Sequence, residues 1–104
     1  MSINVVAMTK DKMIDLFEKY AAEFGKYFGS DVVHNLCGNI VLSEELLGDK
    51  ELYKAVDYSL FTMSSSLDRL IAATDEELDS IEKYVLRSFE LAMRDIYVRL
   101  SEIE

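Results

Sequence analysis

Apolar and polar residues alternate along this chain in a helical rhythm. From about Lys10 to Phe28, Met13, Leu16, Phe17, Tyr20, Phe24, Tyr27 and Phe28 recur at intervals of three and four, which puts them on one helix face. Thr9 stands where an N-cap is wanted and Gly29 where a left-handed C-cap is wanted. A second stretch, from about Asp31 to Leu47, carries Val32, Val33, Leu36, Cys37, Ile40 and Val41 as pairs four apart, with Ser30 or Asp31 as its cap. Gly38 and Asn39 interrupt it, Ser43 can cap a separate short turn over Glu44 to Leu47, and Gly48 closes it. The third stretch, about Lys50 to Ala72, is capped by Asp49 and striped by Leu52, Val56, Leu60, Met63, Leu67, Leu70 and Ile71. Thr74-Asp75-Glu76-Glu77 reads as a capping box that opens a fourth helix. Its stripe is Leu78, Ile81, Val85, Phe89, Ala92, Met93, Ile96, Leu100 and Ile103.

Connections of one to three residues between long helices favour antiparallel neighbours. The expected fold is therefore all-α: one antiparallel four-helix bundle with a long C-terminal helix. The helical domain covers residues 9–104, behind an N-terminal arm at 1–8 that is either loose or a short pairing strand. The fourth helix also has a second apolar set, Tyr84, Leu91 and Val98, seven residues apart and off the main stripe. A one-sided surface helix does not need it. Either this helix lies centrally in the bundle, or the extra face meets a second chain, whether a protein partner or another copy in a homodimer. Tyr84, Leu91 and Val98 are the candidate partner-binding residues.

The charge refines the choice of partner. Twenty acidic residues against eleven basic ones give −9, which argues against direct nucleic-acid binding, since phosphate contacts need a basic surface. Half of the residues are apolar, too many for a disordered acidic tail. The acidic excess is heaviest from Asp75 onwards, with nine acids against four bases. No stretch approaches 18 uninterrupted apolar residues, and the start lacks a basic n-region. With one cysteine and so no internal disulfide, the expected location is the cytoplasm.

Residues with chemical potential are few. His34 and Cys37 lie three apart, within reach on one helix face, and a Cys–His pair can make a nucleophile. No orienting third group accompanies them, and a lone Cys reads more simply as a small buried hydrophobe. Glu44 with Glu45, Glu76 with Glu77 and Asp75 with Asp79 are carboxylate pairs, but a di-iron bundle needs two Glu-x-x-His motifs and there is one His. No phosphate loop, metal set or cofactor motif is present in the sequence, so no cofactor and no enzyme activity are expected. Ser64-Ser65-Ser66 inside the third helix suits a close helix crossing or a bend.

Two local resemblances accompany these readings. His34-Asn35-Leu36-Cys37-Gly38 resembles the motif of histidine phosphotransfer domains, in which Lys follows the His by three and Gly by four. Those domains are small four-helix bundles, often acidic, and the resemblance implies phosphoryl acceptance on His34. Gly38 matches, while Cys37 stands in the place of the Lys. Asp79 to Glu90 is similar to a segment of the small helical subunit of the actin-branching complex, with Lys83-Tyr84, Arg87 and Phe89-Glu90 at corresponding spacing. There Ser88 replaces the family's Gly, and its later Trp is missing. The expected function is thus a small acidic, non-enzymatic protein that works through protein contacts, as accessory subunit, adaptor or inhibitor. The alternatives are a phosphotransfer module using His34 and an acidic nucleic-acid mimic that inhibits a DNA-binding protein.

Overall fold

In the computed structural model, residues 9–38 and 40–103 are described; the expected arm at 1–8 lies outside them. Four α-helices account for most of these residues, and no strand occurs among them: α1 (Lys10–Phe28), α2 (Ser30–Cys37), α3 (Lys50–Ala72) and α4 (Asp75–Ile103). A single 3-10 turn, Leu46–Gly48, precedes α3.

The helix starts follow local chemistry. Thr9 Oγ1 accepts the Lys12 amide at 3.2 Å, and Asp49 Oδ1 accepts those of Glu51 and Leu52, both at 3.0 Å. Thr74 Oγ1 takes the Glu77 amide at 3.4 Å, the forward half of the expected box. Ser43 Oγ caps the 3-10 turn through the Leu46 amide at 3.2 Å. Gly29, at φ 94°, turns the chain straight from α1 into α2, so α2 begins at Ser30 with no side-chain cap.

The second helix is shorter than its pattern suggests. It ends at Cys37, ten residues before the expected Leu47. Gly38 turns to φ 54°, ψ −127°, and its amide bonds the His34 carbonyl at 2.7 Å. The Cys37 carbonyl, which a continuing helix would offer to Val41, instead accepts the Ile40 amide at 3.0 Å and the Tyr97 hydroxyl at 2.6 Å. Val41 is therefore not part of an inward stripe and stands 74 % exposed, while Leu42 is buried and anchors the connection.

One core joins the helices. Met13, Phe17 and Phe24 enter it from α1, Val33 from α2, and Leu47 from the 3-10 turn. From α3 come Leu52, Val56, Leu60, Met63, Leu67 and Leu70; from α4 come Val85, Phe89, Ala92, Met93 and Ile96. The α3–α4 pair is the most extensive, and α1 rests on both α2 and α3. Small residues let α3 and α4 approach: Ser59 is fully buried, donates to the Ala55 carbonyl at 2.7 Å and comes within 3.4 Å of the Ala92 carbonyl. Ser66, from the serine run, is also buried. Ile71 does not join the core as expected: in the last turn of α3 it lies 71 % exposed, on the rim of a hollow that it lines with Leu67, Tyr20 and Tyr27. Arg69 lies over Tyr84 at 5.0 Å while Ser59 meets Ala92, so residue numbers rise along α3 as they fall along α4. The body measures 43 × 42 × 17 Å, about two helix layers deep at the usual packing distance.

Candidate functional site

Two surfaces stand out. The first is the outer face of α3 and α4. Tyr84 is 62 % exposed, and Leu91 and Val98 are each 47 % exposed, so these three off-stripe residues of α4 are left outside the core. The structure adds Tyr58 and Phe61 of α3, at 67 % and 70 %. Tyr58 and Leu91 line one shallow hollow of about 220 Å³ together with Thr62, Ser88 and Asp95. The sequence carried a signal for Tyr58 and Phe61: both lie off the stripe of the third segment, as Tyr84, Leu91 and Val98 lie off that of the fourth.

Charges frame this face unevenly. At the Tyr84 end, the Arg69 guanidinium stacks over the ring, and Arg87 reaches Glu90 at 3.1 Å. Glu90 also takes Arg94 at 3.4 Å, so two arginines share one carboxylate. At the Val98 end, Arg99 bonds Glu102 at 3.1 Å. That carboxylate, with Asp95 and Glu51 nearby, holds the guanidinium charge more firmly than usual.

The second surface is a groove between α1 and α2, closed by residues 40–42. It encloses about 700 Å³ among Phe17, Ala21, Val33, Ile40 and Leu42, with exposed Glu18, Lys26 and His34 also on its lining. His34 has the exposed imidazole that phosphoryl acceptance needs, but it sits on a helix of eight residues that holds no Lys. Lys26 of the groove is committed to Glu23 at 3.0 Å.

Cys37 lines the same groove half-buried, with Sγ 3.8 Å from Met93 Sδ. Burial pushes its thiol up from 9.0 to about 11, the opposite of what an activated nucleophile requires. The favourable contribution of the protonated thiol is complete below pH 9 and fades as the pH rises through about 11. Two outcomes follow. Iodoacetamide at pH 8 will label the native thiol at least about tenfold more slowly than the urea-unfolded chain. The unfolding free energy will decline between pH 9 and 11 in the wild type, and Cys37→Ser will remove that component.

The carboxylates assemble differently from the sequence pairs. Glu44 faces Asp11 across the start of α1, and their shared hydrogen bond and mutual repulsion raise the Glu44 carboxyl above its ordinary value. Among the described residues no cluster of three or more His, Cys, Asp or Glu is arranged to hold a metal, and no helix is long and apolar enough to cross a membrane. Compared with known proteins, the chain matches no family model, no curated protein and no solved structure.

Proposed function

We propose that this protein is a small, acidic, non-enzymatic interaction protein of the cytoplasm, acting as an accessory subunit, adaptor or inhibitor. In this reading its helices make an antiparallel four-helix bundle that presents the outer face of α3 and α4 to a protein. The observation that carries it is the exposed set Tyr58, Phe61, Tyr84, Leu91 and Val98 on two adjacent helices, outside a core that is already filled by other residues. Exposed apolar side chains grouped on a small domain, as Tyr58 and Leu91 are around one hollow, mark contact sites, with aromatic side chains as the usual anchors. The chemistry of the groove supports the non-enzymatic half of the proposal. Its thiol is held protonated, and its imidazole has no cation of α2 beside it.

Leu91→Glu tests the reading. A carboxylate in the middle of the apolar set is expected to weaken assembly at least about tenfold, seen as a fall in apparent mass by light scattering, with unchanged helical circular dichroism. An unchanged mass across the concentration range in which the wild type associates would contradict it.

A further inference from the structure

We propose that α2 is a hinged flap. It leaves the body formed by α1, α3 and α4 as a unit, with Gly29 and Gly38 as its hinges and the Tyr97 hydroxyl as its latch.

The body holds together without it. α1 packs on α3, and α3 packs on α4. To the buried core α2 supplies Val33 alone. Asp31, His34 and Asn35 are exposed, and Val32, Leu36 and Cys37 are half-buried. At eight residues the helix is also too short to persist away from the body, so its internal bonds are released together when it leaves. Segments with so few buried apolar contacts open well below the free energy of global unfolding, in cooperative units.

The chain is anchored on either side of α2 and free to turn next to it. Before it, Phe28 stacks on buried Phe24 at 6.0 Å. After it, Leu42 is buried. Gly29 and Gly38 lie between these anchors and the helix, and they are the positive-φ positions among the described residues, at 94° and 54°. A residue without a Cβ crosses between the two halves of backbone space at little cost, which is what the ends of a moving element need. A Cβ on Gly29 would meet no atom within 4 Å, so the backbone angle and not close packing calls for glycine there.

On the α4 side little holds the flap down. The Tyr97 hydroxyl donates to the Cys37 carbonyl at 2.6 Å, and Cys37 Sγ lies 3.8 Å from Met93 Sδ. The hydrogen bond grips the last residue of α2, next to the second hinge. Opening uncovers Met93, which is 1 % exposed in the closed form, and removes the Val33 and His34 wall of the groove.

Hydrogen exchange of the folded protein, resolved amide by amide by NMR, tests the flap. The amides of Val33 and Gly38 bond the Gly29 and His34 carbonyls at its two ends, so residues 33–38 report its opening. Their protection factors should agree within about threefold, fall below those at the centres of α3 and α4, and ignore low urea. Tyr97→Phe should speed their exchange about fivefold, the factor that one net hydrogen bond represents, and speed iodoacetamide labelling of Cys37 equally. Val85→Ala weakens the core of α3 and α4 about two turns from Met93. It should speed exchange at the centre of α4 and leave residues 33–38 unchanged. If Val85→Ala speeds both alike, α2 opens only with the whole fold and the flap is overturned. Protection that falls away gradually from one end, or an unchanged rate in Tyr97→Phe, overturns it as well, since the first is fraying and the second leaves no latch.

Discussion

Phe89→Ala will cost the fold about 3–5 kcal/mol, read as a shift of the urea midpoint. Phe89 is 1 % exposed and stacks on Phe24 with ring centroids 4.5 Å apart and planes 17° from parallel. Phe24 stacks in turn on Phe28 at 6.0 Å. The three rings join α4 to α1, two helices that share little else, so truncation loses buried area, stacking and the link between the two layers together. Domains of this size have about 5–15 kcal/mol in all, so the variant should lie near the edge of folding. Phe89→Leu fills most of the space and should lose markedly less. A loss under about 1 kcal/mol for the alanine variant would show that these rings do not hold the layers together.

Gly38→Ala will be the second most damaging change, at about 2–4 kcal/mol. It combines two faults. At φ 54° and ψ −127°, residue 38 has a backbone conformation that side chains with a Cβ rarely adopt. The added Cβ would also overlap the Tyr97 hydroxyl, which donates to the Cys37 carbonyl. The faults separate experimentally. Tyr97→Phe alone should cost about 1 kcal/mol for the lost hydrogen bond. In the double variant the steric part is relieved, so its loss should be smaller than the sum of the single losses. Strict additivity in thermal or urea unfolding would mean that position 38 and Tyr97 do not meet.

These two sites also show what could be read from the chain and what could not. Thr9, Asp49 and Thr74 work as caps because a cap needs only its own first turn. The inward stripes of α1, α3 and α4 follow from the helical period, and their centres are buried as that period requires. The end of α2 had a local signal in Gly38, whose positive φ closes the helix, but the Tyr97 hydroxyl that takes the Cys37 carbonyl there lies sixty residues away and was not legible. Ser59 defied its hydropathy for a similar reason. Which side of α3 is inward depends on where α4 and α1 lie, and that is tertiary information. The exposed face was half legible. Tyr84, Leu91 and Val98 were surplus to the α4 stripe in the sequence alone, but the meeting of Leu91 with Tyr58 needed the alignment of the two helices. His34 and Cys37 were rightly seen as neighbours on one helix, while the burial that keeps the thiol protonated depends on packing around the groove.

The central claim is that α4 has a core side, at Phe89, and a contact side, at Leu91, only two residues apart. It is tested most directly by urea unfolding of Leu91→Glu at a concentration low enough to keep the chain monomeric. The account predicts a stability within about 0.5 kcal/mol of the wild-type monomer, as for a substitution on an exposed surface. A loss approaching that of Phe89→Ala would place Leu91 in the core and contradict the interaction face.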